Sequence, residues 1–298
     1  MQRMIFLPNG GSFISGKYIS ISDDPNTDYV IGSPTGIGIP DVRIIETTSP
    51  AIDGSQIQQI RYEPRVITDT IHIKGSSRSS MYAKRMTLCE VLSPSAGEGT
   101  LFYTNNVGTY KIRAIARVVD PISRIGNYNK CKIEFFCADP YWMDLKAIKS
   151  SIFASENAGF LMGSFVTEKD GVFFAAPDKT STLYNNASAL TPVKICIFGP
   201  FHTVNGFAKI INKTTGKYIT LSQSVGRGEV LIINTTQRNI SVSLERDGIV
   251  EDGFVYIHPD SDLSFHLAPG VNEIEMECNA DDADSQITIE FTQRIIGL

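Results

Sequence analysis

The chain of 298 residues has a single tryptophan, and its longest apolar runs are about one strand in length. A membrane-crossing helix needs ~20 consecutive apolar residues, so no membrane insertion is expected. Cationic charge is also short. Lys and Arg number 27 against 32 Asp and Glu, a formal net charge of −5, which excludes the global positive field that drives nucleic-acid binding. The opening "MQRMIFLPNGG" lacks a long apolar segment followed by small residues. No secretory signal is expected there, and folding in a cytoplasm is. The five cysteines (Cys89, Cys131, Cys137, Cys196, Cys278) contain no C-x-x-C pair. His72, His202, His258 and His266 never pair with one another or with a cysteine at metal-ligand spacing. The cysteines are therefore expected to be small buried hydrophobes in a reducing compartment, with no metal and no cofactor.

Catalytic signatures are missing as well. Neither G-x-S-x-G nor H-E-x-x-H occurs. The best acidic clusters, "HPDSD" at His258 to Asp262 and "NADDAD" at Asn279 to Asp284, fall in turn-like segments where Asp and Asn are ordinary. A carboxylate pair for glycoside hydrolysis is defined by distance in space and not by sequence. The expectation is that the chain is not an enzyme.

What is present is mostly strand. Tyr110, Ile112, Ala114, Ala116 and Val118 alternate with Lys111, Arg113 and Arg117, the period of a half-buried strand. The preceding "TLFYTNNVGTY" supplies its hairpin partner, with a tight turn around Asn105 to Gly108. Cys131, Ile133, Phe135 and Cys137 alternate with Lys132 and Glu134, and "RVITDTIHIKG" places Ile67, Ile71 and Ile73 on one side. One helix is expected, at about 77–92: Met81, Arg85, Leu88 and Leu92 step by three or four, with Tyr82, Met86 and Cys89 widening the stripe. Ser76 or Ser77 could cap it, and Pro94 ends it. A helix on an antiparallel sheet makes a compact α+β domain over residues 1–142.

Residues 143–298 carry regularly spaced alternating stretches. Examples are Ile240, Val242, Leu244, then Leu263, Phe265, Leu267, then Ile274, Met276, Cys278, and finally Ile287, Ile289, Phe291. Turn signals at Gly216, Gly226 to Gly228, Gly248 and Pro269-Gly270 separate them, which spells a jelly-roll β-sandwich. Two segments stand apart. The stretch from Ser22 to Gln59 is rich in Gly, Pro, Ser and Asp and is too long for an ordinary loop. Its apolar clusters, Tyr29-Val30-Ile31 and Val42-Arg43-Ile44-Ile45, would be wasted on disorder. Tyr29, Val30, Ile31, Val42, Ile44 and Ile45 are thus candidates for an arm that docks on another subunit. The stretch "FFCADPYWMD" falls where the first half ends. Pro140 stops the ladder, Asp139 and Asp144 offer Cys137 no electropositive setting, and Tyr141 and Trp142 have apolar bodies suited to pinning a joint. Cys137, Asp139, Pro140, Tyr141 and Trp142 are read as a domain junction.

In that order, "LCEVLSPSAGEGTLFY", "GTYKIRAIARV", "KIEFFCADPYW", "TPVKICIFGP", "IINKTTGKYITL", "GEVLIINT", "FHLAPGVNEIEM" and "FTQRIIGL" resemble the distal tail proteins of siphoviruses and their relatives in prophages and tail-like particles. The resemblance implies a split-barrel-like N-terminal domain and a galectin-like C-terminal sandwich. It also implies a structural role, in a hexameric ring that joins the tail tube to the tail-tip hub or baseplate and lets DNA pass. The partners it implies are further copies of the chain, the tail tube protein, the hub or a tail-associated lysin, and receptor-binding proteins. The place it implies is the distal end of a virion tail assembled in a bacterial cytoplasm. The rival reading is a carbohydrate-binding module of a larger surface protein, for which Tyr184, Tyr218 and Tyr256 would be the sugar-facing aromatics.

Overall fold

The computed structural model describes residues 1–14, 17–50, 53–153, 180–203, 208–277 and 286–298. The chain forms two compact units. The first comprises Met1–Leu145 together with Ile295–Leu298, and the second Lys146–Arg294. The chain thus leaves its first unit, builds the second, and returns for its last four residues.

The first unit holds strands β1 (Arg3–Leu7), β2 (Ile19–Ser22), β3 (Tyr29–Val30), β4 (Val42–Thr48), β5 (Ser55–Tyr62) and β6 (Arg65–Lys74), helix α1 (Arg78–Val91), and β7 (Gly99–Thr104), β8 (Thr109–Ile125), β9 (Tyr128–Cys137) and β10 (Trp142–Asp144). Seven of these close on themselves in the order β8-β7-β1-β2-β3-β6-β9, because β8 pairs with both β7 and β9. The alternation in sequence explains the closure: Ile67, Ile71, Ile73, Ile112, Ile133 and Phe135 all point inward and are fully buried. Closing the barrel removes the exposed edges that an open sheet would present. The turn at Asn105 is tied as expected, its side-chain oxygen accepting from Val107 N and Gly108 N.

Helix α1 begins at Ser77, whose hydroxyl accepts from Ser80 N, and ends before Pro94, which opens a short 3-10 turn. The buried stripe is narrower than the sequence spacing suggested. Met81, Leu88 and Leu92 are buried, whereas Tyr82, Met86 and Cys89 are exposed. Only one side of the helix rests on a sheet, so the residues a further hundred degrees round have nothing to pack on. Of the other cysteines, Cys131 and Cys137 are buried and Cys196 is half-buried. Cys278 lies outside the described residues, as does the Asn279 to Asp284 cluster.

The second unit holds β11 (Ile148–Phe153), β12 (Thr180–Asn185), β13 (Thr191–Phe198), β14 (Ala208–Asn212), β15 (Lys217–Leu221), β16 (Val230–Asn234), β17 (Ser241–Arg246), β18 (Ile249–Asp252), β19 (His266–Leu267), β20 (Gly270–Glu277) and β21 (Gln286–Phe291), and β22 (Arg294–Ile295) carries the chain back. A seven-stranded sheet runs β11-β21-β13-β16-β17-β18 with β19 beside β13, and a four-stranded sheet runs β12-β20-β14-β15. One aliphatic core unites the two sheets, with Ile195, Ile210, Ile219, Ile233, Ile274 and Ile289 fully buried. This is a sandwich of two antiparallel sheets. The β17–β18 hairpin turns at Asp247-Gly248, both at positive φ, as a two-residue primed turn requires.

Candidate functional site

Strand β6 begins with an arginine in a buried phase. Arg65 stands two residues before Ile67 and four before Asp69, so both charges point to the same inward side, and each is 2% exposed. An uncompensated buried charge is costly, so each must find polar partners. Asp69 takes backbone donors: Gly32 N lies 3.2 and 3.3 Å from its two oxygens. Burial raises its carboxyl pKa, against the lowering pull of the N–H groups of Gly32, Thr70 and Ser33. Arg65 takes backbone acceptors. Its Nε donates to Pro140 O at 2.9 Å, its Nη1 to Gly36 O, Ile37 O and Gly38 O at 2.8, 2.7 and 2.6 Å, and its Nη2 to Ile296 O. Its guanidinium also lies 5.7 Å from the centroid of Trp142. The anion has collected N–H groups and the cation C=O groups, and between them they fasten the segment 32–38 to β6.

Gly36 makes this possible. It sits at φ +78°, and a Cβ there would stand 2.1 Å from Val66 O, so only glycine lets the backbone come that close. The C-terminal residues complete the clasp. Leu298 N donates to Ile37 O, and Ile295 and Leu298 pack against the first unit's core.

The residues of "FFCADPYWMD" meet at the same place. Trp142 is fully buried in the first unit's core and donates through Nε1 to Ile37 O at 3.2 Å. Pro140 supplies its carbonyl to Arg65. Asp139 Oδ1 accepts from Tyr141 N, and the Tyr141 ring stands edge-on to Tyr62 at 6.0 Å. Cys137 is buried, and burial pushes its thiol up to about 12, so it is a protonated core residue and not a thiolate nucleophile. Among the described residues no group of three His, Cys, Asp or Glu is placed to hold a metal ion. At "HPDSD", His258 Nδ1 lies 2.5 Å from Asp260 and Asp262 pairs with Lys217, so both carboxylates are taken up in local structure. Tyr256 is buried, Tyr218 lies beneath Lys209 at 5.1 Å, and Tyr184 is exposed.

The expected arm divides in two. Tyr29 and Ile31 are buried in the barrel core, and Val30 pairs with His72 on β6. Tyr29 Oη donates to Lys84 O on the helix at 2.8 Å. Burial, and secondarily Asp28, pushes its phenol up to about 12. Val42, Ile44 and Ile45 instead lie on a two-stranded ribbon, β4 paired only with β5. Val42 faces Tyr62, Ile44 faces Ile60, and, past a shift in register after Ile45, Glu46 faces Ile57. Val42, Ile44, Ile57 and Ile60 are 44, 53, 56 and 61% exposed, so one ribbon face is apolar and open.

A second open surface lies on the barrel. Val66, Phe136 and Ile115 stand opposite one another on β6, β9 and β8 and line a groove of about 360 Å³ with Pro94, Arg117 and Glu134. Lys132 approaches one Glu134 oxygen at 2.9 Å and Arg117 donates twice to the other, which together hold the Glu134 carboxyl below its usual range.

Sequence reasoning missed Arg65, Asp69, Gly36 and the returning C-terminus. The readable signal was the phase of Arg65 and Asp69, two charges falling on the buried side of an otherwise aliphatic strand.

Comparison with known proteins places both units. A family model for the phage tail protein RIFT-related domain matches residues 14–137, and one for the siphovirus-type tail component, C-terminal domain, matches residues 192–294. No curated protein matches the sequence significantly. Among solved structures, the Dit protein of phage SPP1, described as a paradigm of the hub adsorption apparatus of phages infecting Gram-positive bacteria, aligns with TM-score 0.65 at 12% identity, covering 98% of each chain. A chain of the phage P2 baseplate in its activated conformation aligns with TM-score 0.50 at 13% identity, covering 97% of each.

Proposed function

This chain belongs to the siphovirus-type distal tail protein family, and on that premise we propose that it forms a six-copy ring joining the tail tube to the tail-tip hub or baseplate. It is a structural component of the virion tail. In this reading the first unit builds the ring and DNA passes through the ring's lumen. The second unit presents a surface to neighbouring tail proteins, among them the hub, a tail-associated lysin and receptor-binding proteins. The observation that carries the reading is the β4–β5 ribbon. Isolated two-stranded ribbons are marginal in water, and this one leaves an apolar face open, as an arm reaching a neighbouring copy would. Closed cyclic symmetry requires such a head-to-tail contact between two different patches. Ring assembly takes place in the host cytoplasm, where the cysteines stay reduced. Electron microscopy of the particle with gold-labelled antibody against the chain tests the role. Label at the distal tip of the tail supports it, and label along the tube or on the head contradicts it.

A further inference from the structure

We infer that strand β18, the free edge of the seven-stranded sheet, is a docking edge for an extended basic segment of another tail protein, which adds to the sheet as a further strand. The inference rests on the reading that the second unit presents a surface to neighbouring tail proteins, and it specifies where and to what chemistry.

The edge is open at the backbone. Among the described residues β18 pairs only with β17, and no strand lies beyond it. Gly253 N donates to Val242 O at 3.0 Å, which sets the phase of the ladder. Bonded pairs recur at every second residue. Ile249 and Glu251 therefore turn their N–H and C=O groups toward β17, and Val250 and Asp252 turn theirs outward. Other edges of the sandwich are closed. Along β15, Tyr218 O and Thr220 O accept from Asp262 N and His258 N, and Ser222 N donates to Tyr256 O, so the 256–262 segment covers that edge. Along β11, Ile152 is fully buried and Ile148 packs on the core. On β18 the apolar side chains face out: Ile249 is 62% and Val250 66% exposed, with Val255 61% exposed in the turn that follows. An uncovered edge with exposed β-branched residues is what native sheets avoid unless a partner strand takes it.

Charge selects the occupant. Residues 241–252 carry four carboxylates, Glu245, Asp247, Glu251 and Asp252, against one guanidinium, Arg246. Arg246 is already engaged with Glu229 at 2.6 Å. Glu251 and Asp252 follow Ile249 and Val250 directly along the edge, and both are exposed. Such a field repels a phosphate backbone and an anionic lipid surface. A second copy of this edge brings the same carboxylates and no free cation, and like charges facing each other across strands destabilise a pair. A strand whose apolar residues give way to Lys or Arg meets every feature at once. Its main chain bonds Val250 and Asp252, its apolar residues cover Ile249 and Val250, and its cations pair with Glu251 and Asp252. Main-chain bonds then give affinity and the side chains give specificity, as in other strand additions.

The test uses the assembled particle carrying the full-length chain with Val250→p-benzoylphenylalanine. Irradiation and mass spectrometry of the cross-linked peptides read what lies against the edge. Expected is a cross-link to a different tail protein, at an extended segment that carries Lys or Arg. A second variant, Val250→Pro, removes the outward N–H and no bond to β17, so the sandwich should keep its melting temperature. Particles built with it should lose the cross-linked protein at least about tenfold. A cross-link to a second copy of this chain, a cross-link to a segment without cations, or no cross-link at all overturns the inference. So does full retention of the partner in the Val250→Pro particles. With antibody label at the distal tip of the tail, those results overturn this inference alone. Label elsewhere overturns the proposed role, and this inference with it.

Discussion

The two units are both built from antiparallel strands, yet they are held together by different physics. The second closes two sheets over an aliphatic core. Its buried polar residues are neutral: Asn212 donates to Asn272, and Asn185, Asn212 and Asn272 all donate to carbonyls of the 266–270 segment. The first places a full positive charge, Arg65, where water does not reach and satisfies it with five carbonyls drawn from three distant stretches of chain. Apolar burial is additive and forgiving, because each side chain contributes its own area. A charge clasp is all-or-none, because removing one member leaves the others unpaired in low dielectric. The lesson is that the unit proposed to build the ring is stiffened where its long segment leaves the barrel, so that the ribbon beyond it projects from a fixed root.

The contrast can be broken most forcefully at the clasp. Trp142 is the sole tryptophan and sits in the first unit's core, so its fluorescence reports that unit alone. Replacing Arg65 by Met leaves several buried carbonyls without their donor and should destabilise the first unit by about 3–5 kcal/mol, seen as a melting transition of tryptophan emission lowered by roughly 10 °C. The sandwich, followed by circular dichroism, should keep its own transition. A variant whose two signals fall together would undo the comparison. Next in size, Ile289→Ala in the sandwich core should cost about 2–5 kcal/mol and shift only the transition that tryptophan does not see.

Deleting residues 295–298 should act on the first unit despite their place at the far end of the sequence. The deletion removes the Ile296 carbonyl from Arg65 and the packing of Ile295 and Leu298, an effect of about 2 kcal/mol read again from tryptophan emission. An unchanged tryptophan transition would show that the returning tail is an ornament. The smallest effect is a pH dependence in the second unit. Hydrogen bonds from Lys217 and then Ser264 lower Asp262 to about 2 from the ordinary carboxyl value of 3.8. A depressed carboxyl contributes stability that is full above the unfolded value and is lost as pH falls through about 4 toward 2. The pair is part-exposed and screened, so the contribution is at most about 1 kcal/mol. It is measured as the difference between wild type and Asp262→Asn in sandwich melting at pH 5 and pH 2, and most of it should be gone at the lower pH.

The barrel strands were legible because burial on one face forces period two: Ile67, Ile71, Ile73 and Phe135 announced themselves. The sandwich was legible for the same reason, helped by turn residues such as Asp247-Gly248. The ribbon was harder. Most of it lies in the Gly-, Pro- and Ser-rich stretch between Ser22 and Gln59, and with both faces largely exposed it shows no alternation to read. Its length and its Val42 to Ile45 cluster raise the expectation of a docking arm, but nothing in them says that Tyr29 and Ile31 belong to the barrel core instead. The clasp was hidden for a different reason. Its acceptors are main-chain carbonyls, which every residue has, so no pattern in sequence says that Gly36, Pro140 and Ile296 share one guanidinium. A returning strand of two residues, Arg294–Ile295, is likewise too short to carry a period.

The central claim is that the first unit assembles the ring through its ribbon. Native mass spectrometry of the purified full-length chain, beside a variant carrying Ile44→Asp and Ile60→Asp, tests it most directly. The expected result is a closed assembly of six copies for the wild type and monomers for the variant, with tryptophan emission and melting unchanged because both positions are exposed. A variant that still forms the six-copy species would contradict the claim.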